Sequence, residues 1–273
     1  VLNDILAAFS NFIFYQKLGV VGDIAGYHLF EIFISAVLVA VVFLFAAETF
    51  GLWAGFASAA FMATYPLFWA ESHFNIKDPA ETAFFALTVY TLWRGIHFKK
   101  AKILVASSFF AGFALATKLN ILFLPFIVLP WIALLLLWGK GDFKNNLFKK
   151  RLVLAYLAYP LIMFSIFYAH WPFLWQDFVG NTKQVFNYYK GIGTETNFQP
   201  NFLVGRWNTY AATWILFTTQ PLMLLFFIFG VLATKKFWQE KSLVLSLWIM
   251  WFLVPILRVT IPGTTIYSGS RQI

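Results

Sequence analysis

Cysteine is absent from all 273 residues, and charge is scarce: Asp, Glu, Lys and Arg make up 11% of the chain, against 61% hydrophobic residues. The first absence excludes a disulfide framework and thiolate metal sites, and says nothing about compartment. The four histidines (28, 73, 97 and 170) are scattered. Without a close His pair or cysteine, a dedicated zinc site is not expected. A soluble domain is about a quarter charged, so this composition points away from water. Apolar stretches recur near the length of about 20 residues needed to cross a bilayer core of about 30 Å. The fold class expected is therefore all-α, a polytopic transmembrane helical bundle.

Eight spans fit the pattern, at 29–48, 50–70, 80–97, 103–117, 119–138, 152–171, 208–233 and 242–261. Residues 3–18 differ, because Ile5, Leu6, Phe9, Phe12 and Ile13 recur at helical spacing beside Asn3, Asp4, Ser10 and Asn11. That pattern predicts an interfacial helix. A long loop is expected over 172–207. Gly51, Gly55, Ala59 and Ala63 form a small-residue stripe that predicts a packing face. Pro125, Pro130, Pro160, Pro221 and Pro255 predict kinks. No repeat of fixed period is present. Val1 is not an initiator methionine and no charged leader precedes the first segment, so the sequence reads as a piece of a longer protein.

Orientation follows from Lys and Arg in short loops. Lys99, Lys100 and Lys102 fall in one loop, Lys140, Lys144, Lys149, Lys150 and Arg151 in a second, and Lys235, Lys236 and Lys241 in a third. With eight spans these share one side, read as cytoplasmic, and with Arg94 they outnumber Glu48, Asp142 and Glu240 by the whole net charge of +9. The basic balance thus marks topology and anionic lipid, not nucleic acid. The other side carries balanced charges mixed with aromatics, and the localisation expected is a multi-pass cell membrane protein working at its extracytoplasmic face.

The break "FWAESHFNIKDPAETAFF" packs Glu71, His73, Lys77, Asp78 and Glu81 between apolar runs. Asp78, Pro79 and Glu81 read as a capping-box-like helix start, with Asp at the N-cap and Glu three residues on. Capping does not account for Glu71, His73, Asn75 and Lys77, and it is compatible with function. Helix N–H groups and Lys77 would keep Asp78 as a standing negative charge. Lys118 follows a span of only fifteen residues, about 22 Å of helix. It reads either as a snorkelling lysine or as a cation for a lipid-linked phosphate. In "HWPFLWQDFVGNTKQVFNYYKGIGTETNFQPNFLVGRW", Trp171, Trp175 and Trp207 suit interfacial anchoring, and the interior suits a sugar or peptide acceptor.

In this order, "GDIAGYHLFEI", "HFNIKDPAETAFF", "GFALATKLNILFLP", "AHWPFLWQDF", "WILFTTQPLMLLFFIFG" and "IYSGSRQI" resemble the C-type glycosyltransferases. The likeness is to the family-39 type that includes protein O-mannosyltransferases, lipid A aminoarabinose transferase and bacterial relatives. The resemblance implies an integral membrane enzyme that moves a sugar from a polyprenyl-phosphate carrier to a protein, lipid or glycan acceptor, with inversion. It gives the base to an acid of the first external loop, which this sequence does not match. It aligns Asp78 with the family's second loop acid, Lys118 with a Thr-Lys near the carrier site, and Tyr267, Gly269 and Arg271 with the terminal Tyr-x-Gly-x-Arg pattern; the charges of the same break add His73 to the catalytic candidates and Glu71 and Lys77 to the substrate-binding ones. A divalent cation is the one candidate cofactor. The alternative is a transporter or flippase for lipid-linked sugars, which would bind near the bilayer midplane with polar groups inside its spans.

Overall fold

The computed structural model describes residues 1–138, 149–195 and 202–262. It confirms the all-α class. The helices are α1 (Leu2–Asn11), α2 (Asp23–Phe50), α3 (Leu52–Thr64), α4 (Pro66–Phe74), α5 (Asp78–His97), α6 (Ala101–Thr117), α7 (Leu124–Trp138) and α8 (Lys150–Ala169). They continue with α9 (Phe173–Gln176), α10 (Phe178–Glu195), α11 (Tyr210–Thr218) and α12 (Pro221–Thr260). The only strands among the described residues, β1 (Leu203–Val204) and β2 (Trp207–Asn208), form one short antiparallel pair. Among the described residues, four helical segments are long and apolar enough to cross a membrane: Asp23–Phe50, Leu119–Leu137, Lys150–Ala169 and Pro221–Thr260. Leu52–Thr64 and Ala101–Thr117 are shorter apolar helices.

The chain divides into two compact units. The first comprises Val1–Leu122 and Trp138–Pro172. Here α5 is the buried element, with Ala80, Ala83, Val89, Trp93 and Ile96 all nearly inaccessible. It packs on α2 and α6, and α6 packs on α8. Ser107 Oγ donates to the Thr88 carbonyl at 2.8 Å and lies 3.0 Å from the Tyr159 hydroxyl, so one hydroxyl links α5, α6 and α8. On the outside of α8, Leu154, Leu157, Leu161 and Phe164 are exposed at helical spacing. Such a stripe suits lipid, which does not penalise apolar surface.

Both ends of α5 are charged and its middle is not. At one end Arg94 pairs with Glu48 of α2 at 3.1 Å; at the other stands Asp78. Sixteen residues separate them, about 24 Å along a helix, somewhat less than the bilayer core of about 30 Å.

Small residues set the spacing of α2 and α3, as the stripe predicted. A Cβ placed on Gly55 would lie 2.8 Å from the Ala47 Cβ and 2.9 Å from the Phe43 carbonyl oxygen. The backbones therefore meet with no room for a methyl group. Gly55→Ala is expected to cost about 1–3 kcal/mol through overpacking, visible as a lower melting temperature in detergent; an unchanged melt would mean that α3 does not seat there.

The second unit comprises Phe123–Leu137 and the described residues from Phe173 onward. Trp131 is fully buried, and its indole N–H donates to the Leu243 carbonyl of α12 at 2.7 Å. The Arg258 guanidinium lies 4.8 Å from the centre of the Phe123 ring. Phe226, Phe227, Ile228 and Phe229 on α12 are all exposed, again the surface of a lipid-facing helix.

Five expectations change. The span drawn over 50–70 breaks at Tyr65, whose ψ of 116° is extended; Pro66 pushes its preceding residue out of the α region. The stretch expected as a loop over 172–207 is helical through α9 and α10. The two spans drawn over 208–261 with a basic loop between them are instead α11 and a single 40-residue helix, α12. No Gly or Pro occurs between Val231 and Val254, and Lys235, Lys236, Glu240 and Lys241 are adequate helix formers. A continuous helix cannot supply two antiparallel spans, so the third basic loop does not exist. Pro125 and Pro221 stand in first helical turns, where proline needs no N–H partner; Pro130, Pro160 and Pro255 do lie inside helices.

The fifth concerns the helix start at Asp78. Lys77 is the N-cap, Asp78 is the first helical residue, and no side chain of the expected capping box closes the end. Asn75 closes it from outside, its Oδ1 accepting the backbone N–H groups of Lys77 at 3.0 Å and Asp78 at 3.2 Å.

Residues 3–18 are helical, as α1 followed by a π-helical turn over Phe12–Lys17. Asn3, Ser10 and Asn11 are buried while Ile5, Phe9 and Phe12 are exposed. That is the reverse of a water-facing helix. Asn11 Nδ2 donates to the Asp23 carbonyl and to Asp23 Oδ1, both at 2.7 Å, which ties α1 to the start of α2.

Candidate functional site

The site forms where α5 begins and α6 ends. A tight turn at Phe98–Lys100, with Lys99 at φ 57°, folds the two helices into neighbours. Counted from that turn, α5 runs for 20 residues and α6 for 17, about 30 Å and about 26 Å. Their far ends fall almost level, and the long Lys118 side chain covers the difference. Lys118 Nζ reaches Asp78 Oδ1 at 2.7 Å although forty residues separate them in sequence. Both ends favour the pairing: an anion suits a helix N-terminus and a cation a C-terminus. The two side chains remain 31% and 21% exposed, so the pair is accessible.

Asn75 completes the arrangement. Its Nδ2 donates to Asp78 Oδ2 at 2.8 Å and to Glu71 Oε2 at 2.5 Å. Both Asp78 oxygens are thereby engaged, one by a cation and one by an amide. One helical turn further, Glu81 is buried, and its charged neighbours are Lys118 and Asp78. From α1, Asn3 Nδ2 donates to the Ile76 carbonyl at 2.8 Å and steadies the break.

Of the residues expected from sequence, Asp78, Lys118 and Glu71 are brought together. His73 belongs to α4 but turns back on it, Nδ1 lying 2.7 Å from the Trp69 carbonyl and the ring 4.7 Å from the Trp69 ring. Lys77 is exposed beside the break. Tyr267, Gly269 and Arg271 lie outside the described residues.

Sequence reasoning notes Asn75 in the crowded break but gives it no role, and it misses Glu31. Glu31 is fully buried in α2, with Asp4 its charged neighbour. Neither of its carboxylate oxygens has a hydrogen-bond partner among the described residues. An acid inside "YHLFEIFISAVL" is a visible anomaly, since carboxylates within apolar helices are costly.

Residues 11–171 match the family model described as dolichyl-phosphate-mannose-protein mannosyltransferase. The chain belongs to that family. Membership makes it a membrane glycosyltransferase, in agreement with its apolar helices. Glu71, Asn75, Asp78 and Lys118 of the glycosyltransferase all fall inside the matched segment, and Tyr267 and Arg271 fall beyond it. Neither the curated proteins nor the solved structures give a match.

Proposed function

We propose that this glycosyltransferase moves a sugar from a polyprenyl-phosphate carrier to an acceptor hydroxyl at the extracytoplasmic face of the cell membrane, inverting the anomeric carbon. The observation that carries the reading is the Asp78–Lys118 pair, held across the ends of two largely apolar helices. A lipid-linked donor keeps its phosphate at the membrane interface while its sugar stands in water.

In the transfer, the acceptor oxygen bonds to the anomeric carbon as the bond from that carbon to the phosphate oxygen breaks. The electron pair leaves with the carrier phosphate, and the hydroxyl proton passes to a carboxylate, the role that the family resemblance gives to a first-loop acid. An ammonium carries three donors, and Asp78 takes one of those of Lys118. The others can meet phosphate oxygens, where a fixed cation stabilises the charge that develops on departure. Arg271 is assigned to the same phosphate on the strength of the terminal motif. Asp78, fixed by Lys118 and Asn75, orients a hydroxyl of donor or acceptor. Glu71, tied to Asp78 through Asn75, and the exposed Lys77 border this group and are assigned to the substrates, while His73 folds back on Trp69.

Among the described residues no three His, Asp or Glu side chains gather as metal ligands, and the divalent cation rests on the family resemblance alone.

The test is to incubate purified full-length protein with a polyprenyl-phosphate sugar and follow free polyprenyl phosphate. Release of the carrier, with KM for the donor raised in Lys118→Met, is expected. Movement of intact donor across vesicles without release would instead establish the transporter reading.

A further inference from the structure

Asn75 uses its whole hydrogen-bonding capacity in one place. Oδ1 accepts two backbone N–H groups, and Nδ2 donates to two carboxylates, Glu71 and Asp78. The amide orientation is set by this network: turned over, its oxygen would face two carboxylates and its nitrogen two N–H groups. The oxygen half is ordinary capping, which aspartate supplies as well as asparagine. The nitrogen half is different. It bridges two anions that otherwise repel, and it holds Asp78 Oδ2 so that Oδ1 points at Lys118.

We infer that Asn75 is a positioning residue for transfer, acting through its amide N–H groups on Asp78 and Glu71. This rests on the assignment of the Asp78–Lys118 pair to the reaction. The charged and titratable groups that surround it are Glu71 and His73 on α4, Lys77, Asp78 and Glu81 at the start of α5, and Lys118 after α6. Asp4 on α1 and His28 and Glu31 on α2 face the same region.

Asn75→Asp separates the two halves, because it keeps the capping oxygen and replaces the donor by a third carboxylate. Two neighbouring anions favour the protonated form of the introduced carboxyl in the fold. The folded variant therefore holds a proton that the unfolded chain, with a carboxyl pKa of about 3.9, releases at lower pH. Stability relative to the parent then falls as pH rises. The variant is expected to melt near the parent at pH 5, where the protonated carboxyl offers one O–H donor, and several degrees lower at pH 8. Sugar transfer should fall about tenfold or more at pH 8, the factor that one pKa unit of mispaired charge represents, and less at pH 5. Adding Glu71→Gln removes one carboxylate and returns an amide donor, and should recover part of both losses at pH 8.

Melting that follows the parent at both pH values would overturn the inference and leave Asn75 a cap. Equal losses at both pH values without rescue by Glu71→Gln would do the same. A parent protein that transfers no sugar would sink the proposed function, while the melting series would still decide whether the amide holds the carboxylates.

Discussion

Replacing Asp78 by asparagine is expected to cut sugar transfer by about a hundredfold, the scale of a reacting group left about an ångström out of place, while the helices stay assembled. The two side chains are isosteric, so the loss isolates charge and hydrogen-bond polarity. The substituted amide has one acceptor oxygen to share between Lys118 and Asn75, and its own NH2 would meet that of Asn75 as donor against donor. Lys118 would then stand without its counter-charge at 31% exposure. The cost to stability lies between the ~1 kcal/mol of exposed pairs and the ~3–5 kcal/mol of fully buried ones, so the protein should still be recovered folded. Activity by carrier release and folding by size-exclusion chromatography in detergent are the two measurements. Full turnover in a folded variant would remove Asp78 from the site.

The second large effect is structural. A Cβ on Gly112 would lie 2.7 Å from the Ile166 Cβ and 3.0 Å from the Met163 carbonyl oxygen. Helices α6 and α8 thus meet backbone to backbone at this point. Gly112→Leu adds four carbons where not one fits, and the helices must separate. The loss should exceed the ~1–3 kcal/mol typical of inserted methylenes, enough to prevent accumulation of folded protein. Gly112→Ala should fold with a reduced melting temperature. Because Lys118 stands six residues beyond Gly112, about 9 Å along the helix, any tilt of α6 also moves the ammonium away from Asp78. Gly112→Ala is therefore expected to lose transfer out of proportion to its stability. A Gly112→Leu protein that expresses and melts like its parent would show that α6 and α8 are not packed there.

The apolar helices were legible because span length and hydropathy are local properties. So were the Gly55 contact, a small-residue spacing with one structural meaning, and the importance of the break around Asp78, where charges crowd against grease. The single helix over Pro221–Thr260 was missed because a run of Lys, Gln and Glu reads as a loop by polarity yet as a helix by propensity, and nothing there breaks the backbone. Helix α10 was missed for the opposite reason, its mixed aromatics and amides suggesting a binding loop. Asn75 stood out only as one more polar residue in the break: its role depends on four atoms of Glu71, Lys77 and Asp78 that the folded break brings within 3.2 Å.

What the sequence by itself determined is the solvent this protein lives in, the existence of its apolar helices and the identity of its charged interruptions. All three follow from composition and from spacing along one strand of chain. Which interruptions meet was decided by tertiary structure alone. Asp78 and Lys118 become partners because a tight turn folds two helices of nearly equal length side by side, and no local property records that two distant helix ends will arrive at the same height.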